Sequence, residues 1–157
     1  MSVLSRFLRT CLVRVTLVAT CCSAASFATT VPGANPDQST PRLIVLAPNL
    51  VELLFSIGAG EQIVATSEHA DYPAAASAIP RVGNYAGLQL EKIVALKPDL
   101  ILLWQSGTPA ADIDRLRQLG FRVELFEPKQ LDDVATDLER LGVISGHVKE
   151  ATVQANK

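Results

Sequence analysis

Three ionisable side chains stand close together in the segment EHADYP. Glu68, His69 and Asp71 fall within four residues, and carboxylates beside an imidazole can bind a metal ion or transfer protons. The alternative, which we favour, is a solvated loop in which Asp71 starts a turn before Pro73, because aspartate is a common turn residue. The sequence predicts a polar loop here and leaves its chemistry open.

The sequence lacks the motifs that would complete a common enzyme site. It contains no Walker loop, no GxGxxG after a strand, no HExxH and no GxSxG. His69 and His147 are the only histidines and lie too far apart in sequence to suggest a multi-histidine metal site. We therefore expect a binding protein that is not an enzyme and has no resident cofactor or metal. A small hydrolase that uses Glu68, His69 and Asp71 is the alternative.

Two aromatic residues, Tyr85 and Trp104, fall in loops or at strand ends, where side chains meet a cleft. Aromatic rings in such places suit a flat, largely apolar ligand. For Trp104, packing at the end of a core strand is an equally good interpretation.

An acidic residue, Glu91, opens a helix that we expect to bury four apolar side chains: Leu90, Ile93, Val94 and Leu96. A carboxylate in the first turn gains about 0.3–1 kcal/mol from the helix dipole. This stabilisation of the helix would by itself account for Glu91, without any functional role. An exposed acid at this place would equally suit a docking charge, so both interpretations stay open.

Strand and helix patterns alternate from residue 42 onward. Continuous apolar runs predict strands at 42–47, 62–67, 100–104 and 122–127. Helical periodicity predicts helices at 49–57 before Gly58, at 90–96 before Pro98, at 110–119 before Gly120 and from about 131 to 141. This alternation predicts an α/β fold, a Rossmann-like parallel sheet flanked by helices on both faces.

Ligands of such sheets bind beyond the carboxyl ends of the strands. In this sequence those ends are residues 47–49, 67–72, 104–109 and 127–129. The predicted ligand-binding positions in them include Pro48 and Asn49 after the first strand, His69, Asp71 and Tyr72 in the loop after the second, and Gln105 after Trp104.

The N-terminal 28 residues have the pattern of an export signal. Three arginines precede or enter an apolar stretch over 12–22, which is shorter than the roughly 20 residues of a membrane-spanning helix. The small residues around Phe27 predict cleavage after Ala28. An uncleaved anchor, or a lipoprotein acylated at Cys21 or Cys22, is the alternative. Residues 29–41 are predicted to be a flexible leader.

All three cysteines lie inside that signal, so the predicted mature chain has no thiol for a disulfide or a metal site. Removal of the signal arginines leaves 11 basic and 16 acidic residues, a formal charge of −5. This acidic balance argues against a nucleic-acid-binding protein.

The segments 42–73 and 79–104 resemble the N-terminal lobe of periplasmic vitamin B12-binding proteins, the capture components of cobalamin ABC importers. The resemblance extends from about residue 42 to 141. Its strongest elements are the loop Asp71-Tyr72-Pro73 and the block LEKIVALKPDL from Leu90 to Leu100. That block also occurs in binding proteins for haem and iron siderophores, so it marks the superfamily of helical-backbone (class III) binding proteins.

The resemblance implies two lobes joined by a long helix, with cobalamin held between them and no catalysis. It assigns 42–143 to the N-terminal α/β lobe and 144–157 to the start of the interlobe helix, with the second lobe outside this sequence. We expect residues 145–157 to begin a helix that has nothing to pack against.

Residue roles also follow from the resemblance. Tyr85 matches an aromatic position that lines the corrin face, and Trp104 matches a tryptophan of the strand-end loop. His69 stands where B12-binding proteins often have tyrosine. Glu91 matches an acid that docks onto arginines of the membrane permease.

These matches predict a periplasmic protein that captures cobalamin and delivers it to an ABC permease. The alternative within the same class is a haem or iron-siderophore binding protein.

Overall fold

The computed structural model of the chain describes residues 40–84 and 87–157. The predicted signal peptide, nearly all of the predicted leader, the three cysteines and Tyr85 lie outside these residues. Within the described ranges, no helix is both long enough and apolar enough to cross a membrane.

The described strands form one sheet in the order β4-β3-β2-β1-β5-β6, in which neighbours are parallel except for the antiparallel β3–β4 pair. In chain order they are β1 (Leu43–Val45), β2 (Ile63–Ser67), β3 (Arg81–Asn84), β4 (Gly87–Leu88), β5 (Leu100–Trp104) and β6 (Val123–Phe126). The predicted α/β class and its predominantly parallel sheet are confirmed.

Helices connect the strands and follow the last one. They are α1 (Pro48–Ser56), α2 (Leu90–Leu96), α3 (Ala110–Gln118), α4 (Leu131–Ser145) and α5 (Val148–Ala155), with 3₁₀ turns at Gly60–Gln62 and Ala74–Ala78. Gly58 and Gly120 follow α1 and α3 with φ of 82° and 84°. Glycine adopts this left-handed backbone without a steric penalty, which is why these two predicted helix ends are found where expected.

Alternate residues of the central strand face two separate cores. Leu43 and Val45 pack into the core covered by α1, α4 and α5, whereas Ile44 and Leu46 pack into the core covered by α2 and α3. All four are at least nine-tenths buried. Because neither face of this strand is exposed to solvent, all of its side chains can be apolar, which explains the continuous apolar run.

The hairpin of β3 and β4 was not predicted. Its strands are short, and β4 turns back antiparallel so that Leu88 pairs with Gly83 at the edge of the sheet. Because the preceding strand neighbours are parallel, this edge pair is the one departure from the predicted parallel sheet in the described residues.

The expected burial of α2 is only partly correct. Ile93 is fully buried and Leu90 and Leu96 are partly buried, but Val94 is 49% exposed. Residues 90, 93 and 96 form one row along the helix that faces the sheet, and Val94 lies beside that row. A helix of seven residues buries this single row.

The expectation that the last segment has nothing to pack against is wrong. α5 packs against α4, where Ala151 is fully buried and lies next to Gly142. Gly146, with φ of 78°, separates the two helices, so the expected boundary between 143 and 144 falls inside α4. The role of this segment as the start of an interlobe helix stays a prediction.

Candidate functional site

A cleft of about 300 Å³ opens at the carboxyl edge of the sheet. It lies where the chain leaves β1 and β5 toward opposite faces: β1 leads into α1 on one face and β5 leads into α3 on the other. Adjacent parallel strands whose connections diverge in this way leave a crevice between their ends. The topology therefore leaves a cleft at the edge of the sheet where the sequence pattern predicts ligand binding.

Apolar side chains and two helix ends form one part of the cleft. Pro48 and Pro109 line it at the beginnings of α1 and α3. Neither helix has a side-chain hydrogen bond at its N-terminal cap. Pro48 and Pro109 have no N–H, so the first donors of the two helices are the N–H groups of Asn49 and Ala110, which can serve acceptors on a ligand. The carboxylate of Asp112, in the first turn of α3, also lines the cleft and offsets part of this positive character.

Trp104 lies at the end of β5, is 42% exposed and lines the cleft. The ring lies against Gly107: a Cβ at that glycine would be 2.8 Å from Cε3 and 3.2 Å from Cδ2 of the indole. The absence of a side chain at Gly107 therefore lets the indole lie close to the loop backbone. Of the two interpretations of Trp104, partial exposure in a cleft favours the ligand-facing one over core packing.

The opposite wall comes from the ends of β2 and β3 and from β4. Glu68 accepts a hydrogen bond from Asn84 Nδ2 at 3.3 Å, and its backbone N–H donates to Gly83 O at 2.8 Å. His69 follows with φ of 68° and is exposed in the cleft. Leu88 packs over Gly83 and adds an apolar surface.

Pro48, His69 and Trp104 are thus the predicted ligand-binding residues that the structure brings together in this cleft. Asn49 is exposed at the start of α1 but does not line it. Gln105 lines a neighbouring cavity of about 480 Å³, which lies between α3 and the end of β6. Its backbone N–H donates to Phe126 O at 2.9 Å.

The loop residues Asp71 and Tyr72 lie outside the lining of the cleft. Asp71 forms an ion pair with Arg81 at 3.2 Å, and Tyr72 is 70% exposed. Because Asp71 is engaged in this way, Glu68, His69 and Asp71 do not act as one cluster. Across the described residues there is no group of three acidic, histidine or cysteine side chains placed to hold a metal.

Several lining residues were missed by the sequence analysis. They come mainly from the unpredicted hairpin and the beginning of α3: Gly83, Asn84, Leu88 and Asp112. The segment Arg81-Val-Gly-Asn, with a further glycine at 87, is a weak hairpin signal that could have indicated them. Glu91 is exposed in the first turn of α2, three residues after Leu88, and does not line the cleft.

Residues 43–157 match the family described as periplasmic binding protein. The chain belongs to this family. The vitamin B12-binding protein of Vibrio vulnificus strain YJ016 is 43% identical over 110 residues, which cover 69% of this chain and 40% of that protein. The vitamin B12-binding protein of Yersinia pestis strain Pestoides F is 39% identical over 116 residues, covering 74% of this chain and 41% of that protein.

Solved structures of periplasmic binding proteins are similar to this member of the family. The crystal structure of the periplasmic vitamin B12 binding protein of Vibrio cholerae matches with a TM-score of 0.70 and 39% identity, over 74% of this chain and 46% of that chain. A periplasmic haem binding protein from Pseudomonas aeruginosa matches with a TM-score of 0.68 at 24% identity, over 73% and 42% of the two chains, and shows the fold alone. The chain spans less than half the length of these relatives.

Proposed function

We propose that this chain is the cobalamin-capturing lobe of a periplasmic binding protein that delivers its ligand to an ABC permease without catalysing a reaction. The observation that carries the proposal is the exposed indole of Trp104 in the cleft of a lobe about 40% identical to vitamin B12-binding proteins. Cobalamin has a broad, largely apolar ring with an amide fringe. An aromatic face and free backbone N–H groups suit these two parts of the ligand.

The size of the cleft limits how much of the ligand this lobe can contact. Cobalamin is larger than a cavity of about 300 Å³, so this lobe contacts one part of the ligand. In this proposal the ring lies against Pro48 and Trp104, which line the cleft, and its amide carbonyls accept hydrogen bonds from the beginnings of α1 and α3. Because binding requires no bond making or breaking, the absence of a nucleophile motif from the sequence fits this role.

The first test is an equilibrium titration of the purified full chain with cyanocobalamin, with haem titrated in parallel. Trp104 is the single tryptophan, so quenching of its fluorescence reports on the cleft. We expect saturable quenching at or below about 1 mM cyanocobalamin, equivalent to about 4 kcal/mol of binding free energy. Equilibrium dialysis should give the same dissociation constant.

Haem should give no saturable response in the same assay. Saturable haem binding with a shifted Soret band, without cobalamin binding, would replace this proposal by the haem alternative. No saturable binding of either ligand would contradict ligand capture by this chain.

The variant Gly107→Ala tests whether the indole itself contacts the ligand. The added Cβ would displace the ring of Trp104 while leaving the fluorophore in place. We expect weaker cobalamin binding by about 0.5–1.5 kcal/mol, the contribution typical of an aromatic contact. Ser106→Ala, in the same exposed loop but outside the lining of the cleft, is the matched control and should bind as the wild type does. Equal affinities for all three proteins would place the ligand away from Trp104.

We also propose that Glu91 contacts the permease. Its carboxylate is exposed at the beginning of α2, three residues beyond Leu88 of the cleft. A charge at the rim of an interface mainly sets orientation and association rate. The exposure of Glu91 outside the cleft supports a role in docking that does not involve contact with the ligand.

A further inference from the structure

His69 is held in a fixed position at the end of β2. The residue before it donates its backbone N–H to Gly83 O at 2.8 Å. The residue after it, Ala70, is buried, and its carbonyl oxygen accepts a hydrogen bond from Arg81 Nη2 at 3.0 Å. The turn is therefore tied to β3 on both sides of His69, while the histidine itself is exposed in the cleft.

The backbone of His69 is in the left-handed region, with φ of 68°. Few residues other than glycine adopt this region, although asparagine, aspartate and histidine do so more readily than others. A turn that needed only its backbone shape would be served at least as well by glycine. The left-handed conformation of the turn therefore does not by itself account for a histidine at this position.

The imidazole of His69 is free within residues 40–84 and 87–157, where no hydrogen bond or ion pair to it exists. The ring of His147 differs: its Nδ1 lies 3.0 Å from Ser145 O and 3.4 Å from Gln62 Nε2. His147 therefore has a structural role at the α4–α5 junction. His69 has no such role among the described residues.

Trp104 faces the same cleft from the other side of β1. In the sheet, β1 lies between β2 and β5, so His69 and Trp104 follow strands about 10 Å apart, twice the usual strand spacing. A flat ring lying across this edge meets an aromatic surface on one side and a nitrogen donor on the other.

We propose that His69 binds the metal of the bound corrinoid through an imidazole nitrogen, so that the lobe prefers corrinoids with an exchangeable axial ligand. This inference rests on the proposed function, since it requires a corrinoid in the cleft. The step is a ligand substitution: a cobalt–water bond breaks, a cobalt–nitrogen bond forms through the lone pair of the neutral imidazole, and water leaves. The cobalt keeps its oxidation state and no proton is transferred.

Two probes separate coordination from simple binding. Aquocobalamin carries a water that imidazole can replace, whereas in cyanocobalamin cyanide occupies the same axial position and exchanges poorly. The full chain, without an oligohistidine tag, is titrated with each probe, the visible spectrum of the corrinoid is recorded, and equilibrium dialysis gives the amount bound.

We expect bound aquocobalamin to show the spectrum of an imidazole adduct and to bind at least about tenfold more tightly than cyanocobalamin. His69→Asn keeps a residue that tolerates the left-handed backbone but removes the imidazole. It should abolish the spectral change and bring the two dissociation constants together. His147→Asn, the control for the second histidine, should retain the adduct spectrum.

The outcomes distinguish this inference from the proposed function. Binding of both corrinoids by dialysis, without the adduct spectrum, would overturn the role of His69 and leave the proposed function intact. The same adduct spectrum in His69→Asn would show that another group binds the metal, which would also overturn the role of His69. No binding of either corrinoid would overturn the proposed function and this inference together.

Discussion

At the scale of single residues, two aspartates of α4 show how local contacts set the ionisation of one side-chain type in opposite directions. The backbone N–H groups of Lys129 and Gln130 donate to Asp133 Oδ2 at 2.8 and 3.1 Å and hold the pKa of Asp133 below its usual value of 3.8. Burial raises the pKa of Asp137, although Arg140 lies 3.4 Å from its carboxylate. Asp133 therefore stabilises the beginning of α4 as an anion, whereas the charge on Asp137 carries a burial cost.

Replacement of Asp133 by asparagine should lower the melting temperature at pH 7. Because the folded-state pKa of Asp133 is below 3.8, its contribution is present above pH 3.8 and is lost as the pH falls through the folded value. We expect the difference between the wild type and Asp133→Asn in thermal unfolding to shrink below pH 3.8. Asp132→Asn removes a charge from the same helical turn without removing these two hydrogen bonds, so its effect should be smaller. Equal effects of the two variants would show that helix-dipole charge alone matters.

At the scale of elements, α4 and α5 pack closely against each other at one glycine. Gly142 lies directly against the fully buried Ala151, and a Cβ at Gly142 would overlap the Cβ of that alanine. The same Cβ would lie 3.1 Å from His147 O. The lack of a side chain at Gly142 therefore allows α5 to pack against the lobe.

Gly142→Ala should destabilise the chain. In an exposed helical position the same change would stabilise by about 0.5–1 kcal/mol, because alanine loses less backbone entropy than glycine. At this contact we expect the opposite sign, a loss of about 1–3 kcal/mol from overpacking, in urea denaturation at constant m-value.

Val143→Ala is the control for Gly142→Ala, since Val143 is the next residue of α4 and is 70% exposed. It should change the free energy of unfolding by less than about 0.5 kcal/mol. Stabilisation by Gly142→Ala would mean that α5 is not packed against α4 in solution.

At the scale of the whole molecule, the lobe separates its core from its binding surface. Helices cover both faces of the sheet, and the cleft occupies the carboxyl edge between Pro48 of α1 and Trp104 of β5. Glu91 lies outside the cleft on α2. Ligand binding and docking to a permease are therefore assigned to different surfaces in the proposed function.

This separation predicts different effects of mutations on the two activities. Glu91→Ala should leave cobalamin affinity unchanged and should weaken stimulation of permease ATPase activity, with a larger loss at low ionic strength, where rim charges act most strongly on association. Glu139→Ala, which removes an exposed acid from α4 across the sheet from α2, should affect neither measurement. Unchanged stimulation by Glu91→Ala would remove Glu91 from the docking surface.

Elements with local signals could be predicted from the sequence. Apolar runs predicted the parallel strands β1, β2, β5 and β6, and the bounds of Leu90–Leu96 and Leu100–Trp104 were correct to the residue. The short β3 and β4 strands escaped prediction because six residues, two of them glycines, carry little periodicity.

Which side chains share the cleft could not be predicted in the same way, because it depends on contacts between distant segments. The sequence grouped Asp71 with Glu68 and His69, but Asp71 faces Arg81, ten residues further along the chain. The sequence indicated no packing partner for the helix that contains Ala151, whereas in the fold this residue packs against Gly142. Strand and helix periodicity depends on neighbouring residues, so it can be recognised in the sequence. The partner of a side chain depends on how distant segments approach each other, and the packing of the complete lobe sets that approach.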